Sequence, residues 1–162
     1  MTFKELFQIG QNFEDYIKIG SEEEKEKTLA NYSKIDLPMD LIDEIKDTKD
    51  NIYILASGEM WCPDCQLNIT VVKKLTEINS NIKLSITNLE TGKKYLQPLL
   101  DLKELKIPTM VILDKDFEKL GLFLEQPKNF KKLEKNDENR LHYLNGDFLI
   151  DTARELISVI KK

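Results

Sequence analysis

The sequence NIYILASGEMWCPDC, residues 51–65, joins an apolar run to a closely spaced pair of cysteines. The run is rich in β-branched and aromatic residues, which favours a buried strand. The apolar spacing after the cysteines is typical of a helix. The predicted elements are a strand over residues 51–57, a turn over 60–65 and a helix over 66–78. Cys62 and Cys65, the only cysteines of the chain, therefore lie between a strand and its helix.

Residues 1–47, ahead of this segment, are predicted to be helical. Their apolar residues follow helical spacing, and a break at Gly20-Ser21 divides them. Two capping boxes mark helix starts, one formed by Thr2 with Glu5 and the other by Ser21 with Glu24. Pro38 suits the first turn of a further short helix.

The chain after the cysteine pair predicts the rest of a mixed sheet. A strand–helix–strand crossover requires a parallel pair of strands, whereas a hairpin adds antiparallel ones. We therefore expect an α/β fold with a central mixed β-sheet of about four strands flanked by helices. The predicted elements are a strand over residues 81–88, a helix over 93–105 interrupted at Pro98, strands over 109–114 and 118–124, and helices from residue 127 onward.

Composition narrows the class of protein. The chain has 162 residues, enough for one domain with its own core, and a net charge of −5. The acidic balance argues against a general nucleic-acid or anionic-membrane surface role. No apolar run approaches the ~20 residues that span a bilayer, and the N-terminus has no signal-peptide stretch. We therefore expect a cytoplasmic protein that binds neither nucleic acid nor membrane.

The cysteine pair favours redox chemistry over a structural cross-link. A disulfide across four residues stabilises a chain by only about 2 kcal/mol in the chain-entropy model. Cys62 is expected at the N-terminal end of the helix, where unpaired N–H groups and the helix dipole favour a thiolate. Cys65 is expected one turn further in and more buried. Cys62 is therefore the predicted nucleophile, and Cys65 the resolving thiol that attacks the mixed disulfide.

A metal site is the main alternative chemistry for a C-x-x-C pair. Structural zinc usually takes four nitrogen or sulfur ligands, and this chain offers only Cys62, Cys65 and His142. We therefore predict no metal, with a zinc site shared between two chains as a distant third hypothesis. His142 is expected on a helix surface.

The segment Trp61-Cys62-Pro63-Asp64-Cys65 with its flanking strand and helix resembles the active site of the thioredoxin family. The Ile107-Pro108-Thr109 segment, which opens the third strand, resembles the family's second motif. The resemblance implies a cis proline at Pro108 beside the sulfurs. It also implies that Ile107 offers backbone groups to a substrate peptide, as in strand-addition recognition.

The resemblance also implies a thioredoxin fold with an N-terminal helical extension. We predict a single domain with the extension in residues 1–47, the thioredoxin core in 50–126 and C-terminal helices in 127–162. Trp61, Pro63 and Asp64 are the expected neighbours of the active cysteines, with Pro63 fixing the local φ and Trp61 offering an apolar contact.

The chain departs from the family at one functional position. Family members carry a buried aspartate six residues before the first cysteine, which assists proton transfer from the resolving thiol, whereas this chain has Ala56. Glu59 and Asp64 are the nearest acids by sequence, and either could take over the proton transfer, although surface solvation is the simpler interpretation of both. The charge of Asp64 should disfavour a second negative charge on Cys62 and so tilt the protein toward reduction.

The expected activity is that of a thiol–disulfide oxidoreductase that reduces protein disulfides, with no metal or organic cofactor in the chain. Its expected partners are disulfide-containing proteins and an electron donor, either a thiol reductase or a low-molecular-weight thiol. The alternative is a thioredoxin-fold binding or redox-sensing module without general reductase activity, which the missing acid at Ala56 keeps open.

Overall fold

The computed structural model describes residues 1–162 and is built around a four-stranded sheet. The strand order is β2-β1-β3-β4, with β1 and β2 parallel and the other two pairs antiparallel. This confirms the predicted mixed sheet, with one crossover and one hairpin. The strands are β1 (Ile52–Ser57), β2 (Ile82–Thr87), β3 (Thr109–Leu113) and β4 (Lys119–Leu124).

Ten helices surround the sheet. Both predicted capping boxes are present, at the starts of the first and third helices. None of the helices combines the length and the apolar character that crossing a bilayer would require. The helices are α1 (Phe3–Ile9), α2 (Phe13–Lys18), α3 (Glu22–Ser33), α4 (Met39–Lys46), α5 (Pro63–Ile78), α6 (Leu89–Thr91), α7 (Gln97–Leu99), α8 (Lys128–Lys131), α9 (Asp137–Leu144) and α10 (Leu149–Ile160).

Two helix boundaries differ from the sequence-based prediction. The helix after the cysteines begins at Pro63 and not at Gln66, because proline fits the first helical position, where its missing N–H is not needed. The helix predicted over 93–105 lies earlier in the chain, over residues 89–99, in three consecutive pieces: α6, a π-helical segment Gly92–Leu96, and α7. Residues 100–105 are not helical. Pro98 lies in the first turn of α7, so it starts a helical piece there and does not kink a longer one.

The core lies on both faces of the sheet, because successive side chains of a strand point to opposite faces. Ile54 and Ala56 of β1 belong to the larger cluster of 28 buried residues, under α5 and α10. Leu55 belongs to the smaller cluster of seven, under α1 and the π-helical segment. Ala56, where the family carries its acid, is fully buried in the larger cluster.

The N-terminal helices are attached to the free edge of β2. Between α1 and α2 the chain forms an isolated antiparallel bridge in which Gln11 and Ile86 exchange two backbone hydrogen bonds of 2.8 Å. A Cβ on Gly10 would stand 2.0 Å from the Ser85 Oγ, so this close approach requires glycine. The bridge covers a sheet edge that would otherwise be exposed and brings α2 next to the cysteine turn.

Candidate active site

Cys62 and Cys65 lie at the N-terminal end of α5, as the sequence predicted. Cys62 is the N-cap residue, with extended backbone, and Cys65 lies in the first turn. Both are free thiols, and they are 5% and 1% exposed. The first sulfur therefore lies where the unpaired N–H groups of the helix converge, while the second is enclosed.

The surroundings of the two thiols shift their pKa values in opposite directions. The side-chain hydrogen bond from Cys65 lowers the pKa of Cys62, and backbone hydrogen bonds from Cys65 and Asp64 assist, against desolvation and the charge of Asp64. Burial raises the pKa of Cys65 well above its usual range, and the neighbouring Cys62 adds to this effect. Cys62 is thus the thiol that ionises first, and Cys65 needs help to lose its proton.

Ile107 and Pro108 lie on the other side of the Cys62 sulfur. Their peptide bond is cis, and the Cys62 Sγ stands 3.8 Å from the Ile107 carbonyl oxygen. The Pro108 carbonyl accepts the Glu125 N–H at 2.7 Å, whereas neither backbone group of Ile107 makes a backbone–backbone hydrogen bond. The Ile107 N–H is therefore free to pair with an extended peptide placed over the sulfur, while the Ile107 carbonyl accepts only the Cys62 thiol.

Trp61 and Pro63 form an exposed rim around the buried Cys62 sulfur. The Trp61 side chain is 58% exposed, and Pro63 is exposed as well. A large apolar side chain in solvent beside a reactive sulfur offers contact area to a partner chain.

Asp64 is tied into a polar network and is not simply solvated. Its Oδ1 accepts a 2.6 Å hydrogen bond from the Tyr143 hydroxyl and a 3.2 Å bond from the Gln126 amide. Asn68 donates to the Tyr143 oxygen at 2.9 Å and accepts from the Thr152 hydroxyl at 2.7 Å. The network fixes the Asp64 carboxylate beside Cys62 and links the cysteine turn to α9 and α10.

Glu59 is likewise held by the protein, so the interpretation as a solvated surface acid is wrong for it. It is half-buried, and its Oε2 accepts the Leu89 N–H at 2.7 Å.

Several residues at the site were missed by reasoning from sequence. Tyr143 and Gln126 reach Asp64 from positions more than 60 residues away, and Tyr16 reaches the vicinity of Cys65 from the N-terminal extension. Tyr16 did show inward helical spacing, but spacing identifies a buried face and not its neighbour.

His142 takes no part in this arrangement. It is exposed on α9, as predicted, and its Nδ1 pairs with the Asp147 Oδ2 at 2.8 Å. The side chains form no group of three or more histidine, cysteine or acidic residues that could hold a metal ion.

Comparison with known proteins agrees with this geometry. The family described as Thioredoxin matches residues 10–140, most of the chain and part of its N-terminal helices. No curated protein matches significantly. A protein of unknown function from Pseudomonas aeruginosa is 28% identical, with a TM-score of 0.93, and an HIV epitope scaffold is 27% identical, with a TM-score of 0.94. Each match covers 99% of this chain and 98% of the other. By its matching sequence, its sheet and its Cys62–Cys65 pair, the chain belongs to the thioredoxin family.

Proposed function

We propose that the protein is a thiol–disulfide oxidoreductase that reduces protein disulfides through Cys62 and Cys65. The observation that carries the proposal is that the two thiols differ in position, in burial and in the direction of their pKa shifts. One is activated at a helix N-terminus beneath an exposed rim, and the other is buried one turn behind it with a raised pKa. A pair that served only to cross-link the chain would not need this difference.

The reaction balances within the pair. The Cys62 thiolate attacks one sulfur of a substrate disulfide, the substrate S–S bond breaks, and the other sulfur leaves as a thiolate. Cys65 then loses its proton and attacks the Cys62 Sγ, which releases the second substrate thiolate. The substrate gains two electrons, and the protein ends as a Cys62–Cys65 disulfide.

The surroundings of Cys62 favour an extended peptide as substrate. The unpaired Ile107 N–H can pair with such a peptide, and so can the Ile107 carbonyl once the Cys62 thiol that donates to it has ionised. Trp61 and Pro63 can contact the peptide's side chains. A thiol reductase or a low-molecular-weight thiol would return the protein to the dithiol form, and the chemistry needs no metal or organic cofactor.

Insulin reduction followed by turbidity tests the proposal. With dithiothreitol as electron donor, the wild type should precipitate the insulin B chain sooner than dithiothreitol alone. Cys62→Ser should match dithiothreitol alone, because it lacks the attacking sulfur. Wild-type turbidity no faster than dithiothreitol alone would refute general disulfide reduction.

The alternative, a binding or redox-sensing module, is favoured by the apolar Ala56 in place of the family's acid. A module of this kind would form the Cys62–Cys65 disulfide with oxidants yet fail to accelerate insulin reduction. The turbidity assay therefore separates the two functions.

A further inference from the structure

A surface hollow of about 710 Å³ adjoins the site next to Ile107, and much of its wall comes from α8, α9 and the chain between them. Lys106, which precedes Ile107, is one of its lining residues. Glu125 and Gln126, which follow β4, also line it, and the Glu125 N–H donates to the Pro108 carbonyl at 2.7 Å. A peptide paired with the Ile107 N–H would therefore pass this hollow within a few residues of the cysteine that is attacked.

The lining of the hollow is polar, which favours a charged segment of a protein over a small apolar molecule. Phe130 and Leu133 are the only hydrophobic residues among the 12 that line it. Phe130 is half-buried, and its ring is stacked on Tyr143 with 4.2 Å between the ring centroids. Sites for small organic molecules are instead lined mainly by apolar and aromatic side chains.

Four basic side chains line the hollow, and three of them have no acidic partner or hydrogen bond in the protein. The exposed side chains of Lys106, Lys135 and Arg140 take part in no ion pair. The fourth, Lys131, donates to the Leu124 carbonyl at 3.0 Å. An unpaired guanidinium has a planar set of N–H donors that binds a carboxylate through two hydrogen bonds. The hollow thus holds free cations of the kind that recognise carboxylates.

Three acidic residues also line the hollow, but positive charge is in excess. Asp137 is the first residue of α9, where the positive end of the helix offsets its charge. Glu125 and Glu134 then remain against the four cations. Residues 127–140 carry five basic and three acidic side chains, whereas the whole protein has a net charge of −5. A basic surface on an acidic protein favours an acidic partner.

We propose that this hollow receives an acidic segment of the substrate protein, a few residues from the disulfide that Cys62 attacks. Lys106, Lys135 and Arg140 bind the carboxylates of that segment. The inference rests on the proposed function and gives it a basis for choosing among substrates. Because the cations are exposed, the preference should weaken as salt screens them.

Three peptides that differ only in charge test the proposal. Each has one cysteine, held in a disulfide with a fluorescent thiol whose emission rises on release. The two residues on each side of the cysteine are glutamate, glutamine or lysine. The reduced protein is mixed with each peptide, and the second-order rate constant of release is measured. Rate constants with dithiothreitol correct for the intrinsic reactivity of each disulfide.

Two double variants locate the effect. The test variant is Lys135→Gln with Arg140→Gln, which removes two cations from the hollow. The matched control is Lys128→Gln with Lys132→Gln, which removes two exposed cations from the same segment outside the hollow. Both variants change the net charge of the protein equally.

The wild type should reduce the glutamate peptide about threefold to tenfold faster than the glutamine peptide at about 20 mM salt, and the two rates should converge at about 1 M salt. The test variant should lose most of this preference, with its rate for the glutamine peptide unchanged within about twofold. The control variant should keep the preference.

Equal rates for the glutamate and glutamine peptides would overturn the proposal while leaving the oxidoreductase intact. A faster reaction with the lysine peptide would also overturn it and would assign the hollow to a basic segment bound through Glu125 and Glu134. A preference that both double variants keep, or that both lose equally, would overturn it as well, because the hollow would then not be its source. Reduction of none of the peptides would contradict the proposed function itself, and the substrate role of the hollow with it.

Discussion

At the residue scale, the proposed chemistry depends on the effect that each cysteine has on the pKa of the other. The Cys65 side chain is the largest influence that lowers the pKa of Cys62, while burial keeps Cys65 itself protonated. In the proposed reaction, the thiol that resolves the mixed disulfide is therefore also the one that lowers the pKa of the attacking thiol. Asp64 opposes this activation through its charge, as the sequence had suggested.

Replacing the donor should make Cys62 a weaker nucleophile near neutral pH. Cys65→Ala removes the hydrogen bond, so the pKa of Cys62 should rise and its alkylation by iodoacetamide at pH 6.5 should slow by about three- to tenfold. Cys65→Ser keeps a hydroxyl donor and should fall between Cys65→Ala and the wild type. Because the thiolate is the reacting form, the difference should vanish above the raised pKa. Alkylation of Cys65→Ala at the wild-type rate across the pH range would contradict this account.

At the element scale, α5 holds its first turn in place through Asn68. This buried side chain bonds Tyr143, Thr152 and two backbone carbonyls, those of Asp64 and Glu125. The cysteine turn, α9 and α10 are joined at one point, and the position of Asp64 beside Cys62 depends on it.

Loss of the Asn68 amide should therefore destabilise the protein. Asn68→Ala removes the hydrogen bonds to the Asp64 and Glu125 carbonyls, and it leaves the Tyr143 and Thr152 hydroxyls with one partner each, Asp64 and the Phe148 carbonyl. The loss should lower the free energy of unfolding in urea by about 2–3 kcal/mol. Asn129→Ala is the matched control, since this exposed asparagine bonds only the Asp151 carboxylate, and the change there should stay within about 0.5 kcal/mol. Equal losses of unfolding free energy in Asn68→Ala and Asn129→Ala would show that the buried hydrogen bonds of Asn68 contribute no more than an exposed one.

Local signals in the sequence were enough to predict helices and strands, but not to predict which residues of different elements would be in contact. The β-branched run before Gly58 and the capping boxes act over a few residues, so β1 and the starts of α1 and α3 were predictable. The pieces around Pro98 were not, because their ends depend on packing against β1 and α1. Tyr143 at Asp64 and Tyr16 beside Cys65 depend on contacts between residues 79 and 49 positions apart, for which periodicity carries no information.

At the scale of the whole molecule, the N-terminal helices are joined to the sheet and extend it. The bridge between Gln11 and Ile86 adds backbone pairing at the edge of β2, and Ser85 donates to the Phe7 carbonyl at 2.7 Å. This junction sets where α2, and with it Tyr16, stands against the cysteine turn.

A side chain at the junction should disturb this attachment. The Cβ of Gly10→Ala would collide with the Ser85 Oγ, which should cost about 1–3 kcal/mol of unfolding free energy. In a Ser85→Ala background the same substitution should cost less, because the colliding oxygen is gone. A double-mutant cycle in urea measures the difference. Equal costs in the two backgrounds would mean that Ser85 is not what excludes a side chain at position 10.

The central claim, that Cys62 attacks a substrate disulfide and Cys65 resolves the product, is tested most directly by trapping the intermediate. Cys65→Ser, incubated with insulin and without added reductant, should accumulate a covalent adduct that dithiothreitol dissolves and that peptide mass mapping places on Cys62. The wild type should show almost none, since Cys65 releases it, and Cys62→Ser should form little because its remaining thiol is buried. An adduct that forms as fast with Cys62→Ser as with Cys65→Ser, or none with Cys65→Ser, would contradict the account.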